Sequence, residues 1–204
     1  MSFVTRRHVL ASAVSAAMVS AVSAPASSAP GDALTVKDRI TIAEAVAGIG
    51  LYADLREWNR VRSYLAPRVT TDYTSLFGGE VTTSGRDALI AQWQALLPGF
   101  DATQHLITNI IVEGAGNDAM ARSHVRATHW IDGRFWTVGG SYLHRLVRTP
   151  EGWRVKAISI RRLYEEGDRA VLAAAAGRVK AEANECSALR MPGRAARLLG
   201  ASAT

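Results

Sequence analysis

The side chains of this sequence best suited to chemistry are its five histidines and one aspartate that ends an apolar helical stripe. Asp54 follows Tyr52 and Ala53, where the negative end of a helix dipole opposes a carboxylate. A carboxylate opposed by both dipole and burial wants a positive or donating partner, and imidazole is the natural one. Histidine suits proton transfer because its unperturbed pKa of about 6.5 makes both protonation states available near neutrality. Strand alternation sorts the candidates. Within 119–130, Arg122, His124 and Arg126 share a face made wet by the two arginines, so His124 belongs to solvent. His129 falls on the other side with Ala121, Val125 and Ala127. In the preceding strand His105, Ile107, Asn109 and Ile111 share a face against Leu106, Thr108, Ile110 and Val112. Neither face is clearly polar, so alternation does not place His105. Tyr73 ends an earlier strand, with Asp72 on the opposite face; His8 and His144 have no partner that spacing suggests. A satisfied core histidine and a helix-end aspartate remain the ordinary alternatives. Asp54, His105 and His129 could also ligate a metal, but the same types make an acid–base set, and no metal or cofactor is expected.

The elements that must hold these groups can be read from periodicity. Residues 34–53 form an amphipathic helix, with Ile42, Ala45, Val46, Ile49, Tyr52 and Ala53 on one face and Asp38 near its start. Gly48 and Gly50 weaken it by about 1 kcal/mol each relative to alanine, so something should approach the backbone there. A short helix over 57–65 stops at Ala66-Pro67, and 69–74 reads as a strand. Gly78-Gly79 reads as a turn, and a third helix starts at Ser84-Gly85-Arg86-Asp87 and ends at Pro98-Gly99. From there the period shifts to two. Runs 104–113, 119–131, 134–148 and 152–163 are separated by three turn signals, of which Asp132-Gly133 is a strong hairpin cue. Long runs with short turns predict an antiparallel meander covered on one face by the helices, an α+β class. Residues 169–183 form an alanine-rich helix, followed by a small, basic tail read as poorly ordered.

Length and composition bound the rest. The 204 residues hold one domain plus extensions, and one cysteine excludes an intramolecular disulfide framework. The division is 1–29 as an export signal, 34–165 as the domain, and 166–204 as helix and tail. Thr5-Arg6-Arg7-His8-Val9-Leu10 followed by an uncharged Ala/Val/Ser stretch resembles a twin-arginine signal, with Val9 where phenylalanine is usual. The stretch is too short and alanine-rich to span a membrane. A secreted or periplasmic protein with no stable membrane anchor is expected. The +6 charge falls to +4 without Arg6 and Arg7, with no dense basic run, so nucleic acid is not an expected partner.

The segment Asp54-Leu-Arg-Glu-Trp58-Asn-Arg-Val-Arg-Ser-Tyr-Leu-Ala66-Pro67, then Thr71-Asp72-Tyr73, Thr103-Gln104-His105, Arg126-Ala-Thr-His129, Gly139-Gly140-Ser-Tyr142 and Gly152-Trp153-Arg154-Val155, carries a family signal. In that order, over about residues 37–165, it resembles SnoaL-like proteins of the nuclear-transport-factor-2-like superfamily. The resemblance implies a cone-shaped, curved antiparallel sheet wrapped on N-terminal helices around one deep pocket. Asp54, Tyr73, His105 and His129 stand where scytalone dehydratase keeps an aspartate, a tyrosine and two histidines. Asp54 and His105 also resemble the dyad of hexachlorocyclohexane dehydrochlorinase. Ala53 replaces a second tyrosine, and Tyr142 stands where a pocket asparagine would be. By this resemblance His105 is the general base, Asp54 fixes its tautomer, and Tyr73 and His129 donate hydrogen bonds to a developing enolate or leaving oxygen. Tyr52, Trp58, Trp93 and Tyr142 are the candidate substrate contacts. The expected function is a cofactor-free lyase or isomerase of the dehydratase type, acting on a small apolar cyclic carbonyl compound, in a homo-oligomer. A non-catalytic small-ligand binder and a polyketide cyclase or hydrolase on the same scaffold are the alternatives.

Overall fold

The computed structural model describes residues 33–189; the expected export signal at 1–29 and the end of the basic tail lie outside the described residues. Helix α1, Val36–Asp54, opens with a reciprocal cap: the Asp38 N–H donates to the Thr35 hydroxyl at 3.1 Å, and the Thr35 N–H to Asp38 Oδ2 at 3.0 Å. Its apolar stripe buries Ile42, Ala45, Val46, Ile49 and Ala53. Both helical glycines meet the expected close approach. A Cβ on Gly48 would lie 2.5 Å from the Tyr64 ring, and one on Gly50 would lie 3.0 Å from the His105 Cβ. Helix α2, Trp58–Tyr64, buries Val61 and runs directly into β1, Leu65–Asp72. A single helical turn, α3 (Thr74–Phe77), leads to β2, Thr82–Gly85, and then to α4, Arg86–Gln94.

The remaining strands are β3 (Ala102–Ala115), β4 (Asp118–Ile131), β5 (Arg134–Thr149) and β6 (Gly152–Gly167). They form the expected antiparallel meander. At its β4–β5 turn Asp132 and Gly133 both have positive φ, 51° and 71°, the backbone that a two-residue hairpin requires. The full curved sheet has the order β2-β1-β6-β5-β4-β3. One pairing departs from the all-antiparallel expectation: β1 lies parallel to β6, because the whole chain from α3 to β5 intervenes before β6 returns beside it. The sheet is therefore mixed.

A second departure lies in β3. Asn109 adopts φ 54°, and the pairing with β4 slips between Thr108 and Ile111. This bulge exchanges the faces, so His105 and Ile107 point inward but Ile111, expected beside them, is 60% exposed. Asparagine tolerates the left-handed backbone that the extra residue needs.

Two buried clusters divide the interior. One joins α1, α2, β1 and β6 through residues such as Ile42, Val61, Leu65 and Val155. The other gathers Phe100, Ile131, Trp136 and Val138 with Val171 and Ala175 of α5, Val171–Leu189. Tyr73, Leu97, Ile107 and Tyr142 pack against both clusters, and all four line the cavity between them. No helix among the described residues is long and apolar enough to cross a membrane.

Candidate active site

Asp54 is the last residue of α1, and β3 passes beside it. Its carboxylate accepts three hydrogen bonds from one short stretch of that strand. The Thr103 hydroxyl donates to Oδ1 at 2.7 Å, the His105 backbone N–H to Oδ2 at 2.6 Å, and the His105 ring meets Oδ1 through Nδ1 at 2.7 Å. Burial works to raise the carboxyl pKa. The His105 ring and backbone, with Thr103, outweigh it and hold the group below its ordinary value. An ionised carboxylate can only accept, so the ring proton sits on Nδ1 and Nε2 keeps a lone pair. The two side chains retain only 15% (His105) and 12% (Asp54) exposure.

His105 and His129 meet edge to face, with ring centroids 5.5 Å apart. His129 is 5% exposed and packed between Phe100 and Trp136, at 5.0 and 5.2 Å. Its Nδ1 is buried without a hydrogen-bond partner. Burial, reinforced by the neighbouring His105 ring, pulls its pKa down to about 3, so it is a neutral imidazole at physiological pH. Tyr73 caps the start of α3. Burial pushes its phenol far above the usual range, with the Tyr142 phenol adding to the effect and a hydrogen bond donated by the Trp93 indole N–H opposing it. Tyr142 is pushed up to about 12, first by burial and then by the Asp54 charge. Two protonated phenols and a neutral imidazole thus sit near a proton acceptor. That set can remove a proton and donate hydrogen bonds to the oxygen where charge collects.

Asp54's partner His105 opens onto a cavity of about 150 Å³ whose wall also includes His129, Tyr73, Tyr142 and Trp93. Most of the remaining wall is apolar, including Val46, Ile49, Ile107, Val138 and Ile160. A cavity of about this size holds one benzene-sized molecule. Phe77 lines it while staying 55% exposed, which puts the mouth at α3. The guanidinium of Arg169 fixes that edge, donating to the Leu76 carbonyl and lying 5.5 Å from the Phe77 ring.

Comparison with known families matches residues 34–159 to the SnoaL-like domain. The chain belongs to the SnoaL-like family. Among solved structures, the Kfla4162 protein from Kribbella flavida is 32% identical, with a TM-score of 0.63 over 67% of this chain and 97% of that one. A candidate aromatic ring hydroxylase from Novosphingobium aromaticivorans shares the fold at 21% identity and a TM-score of 0.61, over 70% and 99% of the two chains. A candidate scytalone dehydratase from the same organism does so at 18% and 0.55, over 66% and 93%. No protein of curated function matches the sequence significantly.

Within this SnoaL-like cone, two expected substrate contacts are misplaced. Tyr52 does not line the cavity: it stacks on Tyr64 with centroids 6.1 Å apart, and its hydroxyl accepts from Arg60 at 2.7 Å. One residue of a helix turns a side chain by about 100°, so Ala53 takes the inward position and Tyr52 the flank. Trp58 opens α2 and packs on the first cluster, away from the cavity. His124 is exposed, as expected, and meets Asn109. His144, which spacing left without a role, is buried and lines the cavity. Its signal was available: Trp136, Val138, Gly140, Tyr142 and His144 alternate along one face of β5. Among the described residues no group of His, Cys, Asp and Glu side chains is placed to hold a metal.

Proposed function

We propose that this SnoaL-like protein is a cofactor-free lyase or isomerase acting on a small cyclic carbonyl compound. The observation that carries the reading is the Asp54–His105 pair, held by three hydrogen bonds beside an apolar cavity of one-ring size. In a dehydration, His105 Nε2 takes the proton α to the carbonyl and the C–H electron pair becomes an enolate. Tyr73 and His129 donate hydrogen bonds to the enolate oxygen. The enolate then expels the β-hydroxyl, which takes the proton from the imidazolium and leaves as water. Asp54 stabilises the imidazolium without itself changing protonation state. His129 acts as a neutral donor, which burial makes possible by keeping it uncharged.

The test is turnover of small cyclic β-hydroxy ketones, beginning with 3-hydroxycyclohexanone, followed by the ultraviolet absorbance of the conjugated enone. The wild type is expected to convert at least one of the series, and His105→Ala and Asp54→Asn each to lose about 10²-fold or more. Equal turnover by wild type and both variants, or no turnover across the series, contradicts the dehydratase reading.

A further inference from the structure

On the sheet face turned away from the cavity, part of the charge is left unbalanced. Tyr142 and Ile160 line the cavity, so strand alternation turns Ser141, Leu143, Ser159 and Arg161 outward. On that outer face the register sets out two rows across β4, β5 and β6: Arg122, Leu143 and Ser159, then His124, Ser141 and Arg161. All six line one open groove of about 570 Å³. Strands lie about 4.8 Å apart and same-face residues about 6.7 Å apart along a strand, so the Arg122 and Arg161 backbones are about 12 Å apart. Asn109, at the β3 bulge, sets its Nδ2 2.9 Å from His124 Nδ1. An amide nitrogen only donates, so the ring proton of His124 lies on Nε2. Two nearby cations have carboxylate partners: Arg126 has Glu166 at 3.5 Å, and Lys156 has Asp118. Arg122, Arg161 and, two residues beyond Leu143, Arg145 are exposed without an ion-pair partner among the described residues. The groove's own carboxylate, Asp72, accepts instead from the Thr74 N–H and hydroxyl at 3.2 and 2.7 Å. Like charges on one sheet face cost stability, and an anion in the groove would relieve that cost.

We propose that this groove binds a phosphomonoester, with the Arg122 and Arg161 guanidiniums closing on its phosphate from two sides. Ser141 lies between them in the grid and offers its hydroxyl, and His124 offers the Nε2 N–H. A guanidinium fork matches two phosphate oxygens at once. A phosphate monoester has three terminal oxygens and close to two negative charges, so it can engage both forks; a carboxylate has only two oxygens and one charge. Ile111, 60% exposed on the β3 side of the groove, and Leu143 are the contacts for the apolar part of the ester. The site is independent of the acid–base chemistry inside the cone.

Calorimetric titration with phenyl phosphate, inorganic phosphate and benzoate at low salt tests this. Wild type is expected to bind phenyl phosphate about tenfold more tightly than benzoate, and more tightly than inorganic phosphate. Arg122→Gln and Arg161→Gln should each weaken phenyl phosphate about tenfold. Arg60→Gln removes the same charge from α2, outside the groove, and should leave binding within about twofold. Thermal unfolding keeps folding separate from binding. Without ligand, Arg122→Gln should melt at the wild-type temperature or higher, because it relieves like-charge repulsion. Phenyl phosphate should raise the melting temperature of wild type and leave that of Arg122→Gln nearly unchanged. No binding of phenyl phosphate by wild type, or equal weakening by Arg60→Gln, overturns the proposal. Benzoate or inorganic phosphate bound as tightly as phenyl phosphate also overturns it. Each of these results leaves the acid–base reading of the cavity standing.

Discussion

At Asp54 two opposing effects decide the chemistry. Burial and the helix end disfavour the charge, and three donors from Thr103 and His105 restore it. The need for a partner was already visible in the sequence, because an aspartate closing an apolar stripe is costly alone. Strand alternation did not show which histidine supplied it, since neither face of the β3 segment is clearly polar; the family resemblance alone pointed to His105. Tyr73 is the residue whose role is most easily mistaken for packing. If its hydroxyl serves the developing oxyanion, Tyr73→Phe should lower kcat by about 10–10²-fold with a smaller change in KM. A change confined to KM would make Tyr73 a wall residue. Tyr52 misses the cavity because helical projection on α1 turns Ala53 to it instead, and Trp58 misses it because α2 packs that ring on the first cluster.

Among the elements, α1 and β3 build the site by close approach. Helices α1, α2, α4 and α5, the meander and its Asp-Gly turn followed from periodicity and turn chemistry, whereas the single turn of α3 and the short strand β2 did not. The bulge at Asn109 and the parallel β1–β6 pair did not, because local pattern carries no information on register slips or on strands distant in sequence. Gly50 is where helix and strand touch, directly over His105. Gly50→Ala adds a Cβ 3.0 Å from the His105 Cβ, so one of the two elements must give by a few tenths of an ångström. Better helix propensity, about 1 kcal/mol, offsets the strain in stability but not in alignment. We expect a nearly unchanged melting temperature with kcat reduced about tenfold. A large loss of stability with kcat intact would place the contact in the core rather than in the site.

For the molecule as a whole, holding neutral histidines inside has a cost that depends on pH. His129 and His144 titrate at about 3 and about 4 when folded, both chiefly through burial, against about 6.5 when unfolded. Between these values the unfolded chain binds protons that the folded one refuses, so stability falls as pH is lowered from 6.5. The carboxylates act lower. Asp38 is held far below the usual range by the Arg148 guanidinium, then by Trp153 and Thr35. Its contribution, like that of Asp54, is full above the unfolded value of about 3.9 and disappears as pH falls through the folded one. Chemical denaturation between pH 7 and 4 should show a continuous loss, on the order of 2–3 kcal/mol for each buried histidine. His144→Leu should flatten the slope. Stability that is constant from pH 7 to 5 would contradict the burial of both rings.

The most direct measurement on the central claim is exchange of the α-protons of cyclohexanone in deuterated water, followed by proton NMR, because it isolates the first step from any leaving group. Wild type should accelerate exchange over buffer. His105→Ala should return it to the background rate, and Asp54→Asn should lower it about 10²–10⁴-fold, since the amide no longer holds the lone pair on Nε2. Exchange equally fast in wild type and His105→Ala, or no acceleration by the wild type, would contradict the assignment of His105 as the base.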